Sequence, residues 1–300
     1  MGKSTLAFVL GGGGARGALQ VGALRALLEA DIHPDLLVGT SIGAANAAFL
    51  AVRGLTHRSL AELEAAWHDA MQADLLPANY LWLTIRVLFN RAGVYHEHRV
   101  RDFFIAHGLK PETRFGQIKG IRLILVAADL NAGHAILYGT DPDQSVLEGL
   151  LASTALPPWV RPLEKNGRML MDGGVVSNLP IEPALTQGAT EIVALDLADP
   201  RSVDLTAHGF GPFLNRLMST VEQRQIDLEL ELARAHGVPV HRIALQAEKP
   251  VPIWDFSHTD ELITQGYEIT RREIALWRPK RRAWWREWLA RFSARSTPPR

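Results

Sequence analysis

The sequence predicts an α/β fold: a three-layer α/β/α sandwich with helices on both faces of a mostly parallel central sheet. Three observations point there. Short β-like apolar runs alternate with stretches whose apolar residues recur every three or four positions. Glycine clusters end the runs, and successive runs lie far enough apart for a crossover helix between them.

Leu6 to Leu10 is the first run, and it passes into Gly11-Gly12-Gly13-Gly14. Behind it Ala18, Leu19, Val21, Ala23, Leu24, Leu27 and Leu28 fall on one face of a helix. The plan then repeats: a run at 36–38, a glycine turn holding Ser41, and a small-residue helix over 44–52. Further strands are expected at 122–127, 135–138, 168–171, 191–195 and 240–244. Between 74 and 104 the pattern changes to an apolar stretch with few acids. It reads either as a buried helix pair or as a cap over a site mouth, because lid segments carry exposed apolar patches.

With 300 residues, 47% of them hydrophobic and 21% charged, the chain has ordinary globular composition, and one α/β domain accommodates the length. No apolar run approaches the roughly 18 to 20 residues of a spanning helix. The start resembles a signal peptide only superficially: its apolar part is too short and lacks a small-residue cleavage pattern. Zero cysteines exclude disulfides and thiolate metal sites, and a cytoplasmic location is the default expectation. The zero net charge hides an asymmetry. Residues 277–300 carry eight Lys and Arg against one acid, Glu287, leaving 24 basic and 31 acidic residues in 1–276. The expected division is therefore a domain over 1–276 and a basic, tryptophan-rich tail over 277–300.

The chemistry concentrates in three glycine-bracketed segments. Gly39-Thr40-Ser41-Ile42-Gly43 has the G-x-S-x-G spacing of a nucleophile elbow, a sharp strand-to-helix turn that lifts a serine hydroxyl out of the backbone. Gly39 and Gly43 let the chain turn without a Cβ clash, and the helix that follows directs its N-terminal dipole at Ser41. The alternative is an ordinary strand-ending turn that happens to contain a serine.

Gly12-x-Gly14-x-x-Gly17, after a strand and before a helix, also fits a dinucleotide-binding fingerprint. That fingerprint wants an acid closing the second strand, whereas Asp31 and Asp35 precede it and Ser41 follows it. The preferred reading is an oxyanion hole built from the N–H groups of Gly12, Gly13 and Gly14. Arg16 is expected to order this loop through backbone carbonyls, with an anionic head group as the alternative. Asp172-Gly173-Gly174 offers a carboxylate base at a strand end, although Asp-Gly is also a common turn dipeptide. No His/Asp/Glu cluster has ligand spacing, so neither a metal nor another cofactor is expected; His96 and His98 around Glu97 read as surface residues.

These segments resemble the patatin-like phospholipases of bacteria. The marks are Gly12-Gly13-Gly14-Ala15-Arg16-Gly17, Gly39-Thr40-Ser41-Ile42-Gly43 and Asp172-Gly173-Gly174, with Ala152-Ser153-Thr154-Ala155-Leu156-Pro157-Pro158 before the last and Val175-Val176-Ser177-Asn178-Leu179-Pro180 after it. The resemblance implies that Ser41 and Asp172 form a catalytic dyad beneath the glycine loop and hydrolyse a lipid ester, of a phospholipid or lysophospholipid. Non-lipid esters and thioesters suit the same dyad. A Ser-Asp-His triad would need His208, His236, His241 or His258, none of which lies in a glycine-marked loop at a strand end.

In the tail, Trp284, Trp285 and Trp288 interleave with Arg281, Arg282 and Arg286 at helical spacing. That mix suits peripheral contact with a membrane interface, or an ordinary terminal helix docking its tryptophans on the body. Arginine and tryptophan also suit stacking on single strands, but no nucleic-acid partner is expected.

Overall fold

The computed structural model describes residues 4–72, 97–157, 160–197 and 210–293, without the side chains of 97, 210–215, 218 and 278–293. Its strands are β1 (Leu6–Leu10), β2 (Leu36–Thr40), β3 (Arg122–Asp129), β4 (His134–Tyr138), β5 (Leu163–Lys165), β6 (Arg168–Asp172), β7 (Glu191–Asp196) and β8 (Val240–Ala244). Its helices are α1 (Ala18–Glu29), α2 (Ile42–Arg53), α3 (His57–Gln72), α4 (Glu97–Ala106), α5 (Val146–Ser153), α6 (Ile181–Thr186), α7 (Phe210–Ala235) and α8 (Thr259–Ser293).

One sheet runs β5-β6-β3-β2-β1-β7-β8, with β4 added to β3. The strands β3, β2, β1, β7 and β8 are parallel, and β4, β5 and β6 are antiparallel. Both faces of the parallel part are covered, which is why β1 reads as unbroken apolar sequence instead of alternating with polar residues. Phe8 and Leu10 enter one core with α1, α2 and the start of α8. Ala7 and Val9 enter the other with Leu179, α6 and α7. The result is the three-layer sandwich that the sequence predicts.

Helices α1 and α8 cross at two glycines. A Cβ at Gly22 would lie 1.9 Å from the Ile263 carbonyl oxygen, and one at Gly266 would lie 1.9 Å from that of Leu19. The axes therefore approach as closely as backbone permits, and α8 clamps the helix that follows the glycine loop.

Two details depart from the sequence reading, and two further stretches need placing. Strand β5 was not expected, because three residues are too few to show a period. Helix α2 starts at Ile42, two residues before the expected 44, because Ser41 itself is its N-cap. Of the segment 74–104, residues 74–96 lie outside the described residues, and 97–104 belong to α4. The expected division at 276/277 falls inside α8, whose backbone continues to Ser293. There Trp277 packs its ring 4.7 Å from that of His241, joining the first tail residue to the body.

Candidate active site

The register of the sheet brings two distant residues together. Strand β2 pairs with β3 up to Thr40, opposite Val126. The chain then leaves the sheet, and the vacated edge of β3 is taken by β6, with Asp172 opposite Ala127. Ser41 and Asp172 thus follow one another along the same edge of β3. The Ser41 hydroxyl donates to Asp172 Oδ2 at 2.6 Å, across 131 positions of sequence.

Ser41 has φ 56 and ψ −125, in the region that favours glycine. A non-glycine residue held there costs on the order of 1–3 kcal/mol, and surrounding structure must enforce it. Its N–H donates to Ser153 Oγ at 3.0 Å, and the Ser153 hydroxyl donates to the Val126 carbonyl at 2.6 Å. Thr40 Oγ1 donates to the Ser177 carbonyl at 2.9 Å. The flanking glycines leave room for the turn: a Cβ at Gly43 would lie 2.2 Å from the Leu10 carbonyl oxygen, and one at Gly39 would lie 2.5 Å from that of Gly43. Ser41 therefore caps α2 with its hydroxyl facing the carboxylate instead of the helix.

Asp172 is 3% exposed. Burial pushes its carboxyl up to about 6, against the opposing pull of the Ser41 hydroxyl and the Gly174 N–H. That N–H donates to Oδ1 at 2.8 Å, leaving Oδ2 to Ser41. A reference aspartate is a poor acceptor for a serine proton, and desolvation makes this one a better base.

The glycine loop passes directly against Ser41, since a Cβ at Gly12 would lie 3.1 Å from the Ser41 Cβ. One expectation needs correction. The Gly12 N–H donates to the Asn178 carbonyl at 3.0 Å, which removes it from the expected oxyanion donors. The Gly13 and Gly14 N–H groups have no partner among the described residues. Gly14, at φ 58, lines the same cleft as Ser41 and Asp172. Arg16 is buried, and its Nε donates to the Gly13 carbonyl at 3.2 Å, so it orders the loop. Gly17 lies against Ile42 and Trp67, where a Cβ would come within 2.5 Å of Ile42 Cγ1. Gly173 lies against β3, where a Cβ would come within 2.4 Å of the Val126 carbonyl oxygen.

The rival readings find other employment for their residues. Asp35 Oδ2 accepts the Leu6 N–H at 3.0 Å, which ties the start of β1 where a dinucleotide site would need the acid elsewhere. His241 pairs with Glu191 at 3.1 Å, and His258 sits between Asp255 and Glu261. Among the described residues the Asp172 carboxylate accepts from Ser41 and Gly174, and neither is a histidine. His208 lies outside the described residues.

Several supporting residues were missed by sequence reasoning. Asn46 Nδ2 donates to the Gly17 carbonyl and to Gln20 Oε1, and Gln20 Nε2 donates to the Gly11 carbonyl at 2.8 Å. Trp67 Nε1 donates to Asn46 Oδ1 at 2.9 Å. This buried polar chain ties the glycine loop to α1, α2 and α3. Asn178 and Ser153 stood in blocks already noted for their resemblance, but spacing alone assigns them no task.

A cleft opens from Ser41 along α2, lined mostly by apolar side chains of α2, α3, α4 and α5. No helix among the described residues is long and apolar enough to cross a membrane. The side chains of Arg281, Arg282, Trp284, Trp285, Arg286 and Trp288 lie outside the described ones.

Known proteins resemble this chain in sequence. The chain is 29% identical over 218 residues to the mouse "Patatin-like phospholipase domain-containing protein 7", covering 69% of this chain and 14% of that protein. It is 27% identical over 304 residues to the "Lysophospholipase NTE1" of Phaeosphaeria nodorum, covering 91% of this chain and 18% of that protein. The chain thus spans only a small part of these relatives. A solved structure of human GIVD cytosolic phospholipase A2 aligns at TM-score 0.46 and 11% identity, over 93% of this chain and 59% of that one. Residues 8–185 match the family model described as patatin-like phospholipase, a span running from β1 through the elbow and the Asp-Gly-Gly turn, and the chain belongs to that family.

Proposed function

We propose that this protein is a serine acyl hydrolase acting on carboxylic esters of lipids, a phospholipid or lysophospholipid, through a Ser41–Asp172 dyad. The observation that carries the reading is the 2.6 Å hydrogen bond from Ser41 Oγ to a desolvated carboxylate at the head of an apolar cleft. Asp172 takes the Ser41 proton as Oγ attacks the ester carbonyl carbon, and the Gly13 and Gly14 N–H groups receive the oxyanion. Protonated Asp172 then gives its proton to the departing alcohol. Water, deprotonated by Asp172, attacks acyl-Ser41; the fatty acid leaves and Ser41 recovers its proton. Family membership and the names of the relatives support a lipid ester over a small polar one.

The test is labelling with an ethyl fluorophosphonate, peptide mapping, and hydrolysis of lysophosphatidylcholine. Label on Ser41, lost in Ser41→Ala and strongly reduced in Asp172→Asn, is expected, with fatty acid released only by the wild type. Label on another residue, or none on folded protein, overturns the dyad. Peripheral membrane contact through Arg281, Arg282, Trp284, Trp285, Arg286 and Trp288 belongs to the same proposal. Sedimentation with anionic vesicles should weaken when the three tryptophans become alanine, and unchanged sedimentation refutes that contact.

A further inference from the structure

The cleft has a direction and an end. Helix α2 lines it from its N-cap Ser41 to its last residue Arg53. Ile42, Ala45, Phe49 and Val52 follow in helical register along that wall. Val100, Phe103, Phe104 and His107 form the facing wall, at the spacing of a single face of α4 and the residue just beyond it. Leu63, Ala66, Trp67 and Ala70 of α3 supply a third wall at the same spacing. Three helix faces thus enclose a furrow that runs away from Ser41.

At the Arg53 end the walls are joined by a built set of contacts. Arg53 Nη1 pairs with Glu62 Oε2 at 2.8 Å, and Arg53 Nη2 donates to the His107 carbonyl at 2.9 Å. The His107 ring bridges Asp69 Oδ2 at 3.0 Å and the Phe103 carbonyl at 2.8 Å. The guanidinium also lies 5.3 Å from the centre of the Phe49 ring. Gly108, at φ 92, lets the chain pass, since a Cβ there would meet Arg53 Nη2. These contacts tie α2, α3 and the end of α4 together across the furrow.

We infer that this furrow is an acyl-chain ruler, with the Arg53–Glu62–His107–Asp69 bracket setting the longest straight chain that fits. The inference rests on the acyl-hydrolase reading above and adds the substrate class by chain length. Twelve residues of α2 separate Ser41 from the end of the furrow, an axial distance of about 18 Å at a rise of about 1.5 Å per residue. A carbon–carbon bond of about 1.52 Å, zigzagged at about 111°, advances about 1.25 Å per carbon. The furrow therefore takes a saturated acyl chain of about 14 carbons, and further carbons meet the bracket instead of apolar surface.

The experiment is kcat/KM for p-nitrophenyl esters of even length from eight to eighteen carbons, on the full chain and two variants. In the wild type each methylene that enters apolar surface raises kcat/KM by at most about fourfold, and the rise stops near 14 carbons. Val52→Phe fills the furrow before its end and moves the break to shorter chains by about two carbons. Arg53→Ala opens the end and moves it to longer ones. Ethyl fluorophosphonate labelling of Ser41, which needs no long chain, separates the two readings. Labelling with a rate that keeps climbing to eighteen carbons, or with a break that neither variant moves, overturns the ruler and leaves the dyad standing. Failure to label Ser41 and to hydrolyse any ester removes both. If Arg53→Ala does not fold, Val52→Phe alone decides.

Discussion

Replacing Asp172 with asparagine should abolish hydrolysis and at the same time make the protein more stable at neutral pH. The folded carboxyl titrates near 6 against an ordinary value of 3.8, because burial outweighs its two hydrogen bonds. Between those values the native state holds a proton that the unfolded chain has lost, so stability falls as pH rises from about 4 to 6 and stays reduced above. At about 1.36 kcal/mol for each tenfold change in proton affinity, the full effect is about 3 kcal/mol at pH 8. Asparagine is nearly isosteric, keeps an acceptor for the Gly174 N–H, and carries no charge to desolvate. Thermal unfolding followed by circular dichroism at pH 5 and pH 8 measures the difference. The variant should exceed the wild type by up to about 6 °C at pH 8, at about 2 °C per kcal/mol for a chain of this size. The gap should narrow at pH 5, where the wild-type carboxyl is largely protonated. A variant no more stable than wild type at either pH, with its sheet intact, refutes the idea that desolvation tunes this base.

Wild-type kcat/KM should rise with pH on a limb centred near 6, since the carboxylate form is the proposed base; a limb centred near 4 counts against it in a stopped-time assay of ester hydrolysis. Ser153→Ala leaves the Ser41 N–H and the Val126 carbonyl unpaired, so it should lose about 2 kcal/mol in urea unfolding and at least about tenfold in kcat. Gly43→Ala puts a methyl 2.2 Å from the Leu10 carbonyl oxygen and should cost about 3 kcal/mol or more, read as a lowered unfolding midpoint. Trp67→Phe keeps an aromatic ring in the furrow wall but strands Asn46 Oδ1, for a loss of about 1–2 kcal/mol by denaturant titration.

The parallel strands were legible because burial on both faces makes them continuous apolar runs, and a glycine turn ends each of β1 and β2. Ser41 was legible for the same reason: a strand, two glycines and a small-residue helix are local features. Asp172 could be placed at a strand end, but its approach to Ser41 depends on β6 taking the edge of β3 that β2 leaves. No local pattern encodes that register. The engagement of the Gly12 N–H by Asn178 joins residues 166 positions apart and was equally hidden. The wall of the furrow was hidden too, because no local pattern tells which faces of α2, α3 and α4 meet.

The order of the sheet also constrains how the molecule comes into being. The earliest strand, β1, lies between β2 and β7, so one of its edges waits for residues 191–196 to be made and delivered. Such long-range pairing closes large loops and slows folding. The proposed lipolytic competence should therefore emerge late and abruptly, after most of the polypeptide has been assembled. A nascent or truncated chain ending before Asp172 would hold Ser41 without the carboxylate that its hydroxyl meets, and on the proposed mechanism it would leave nearby esters untouched.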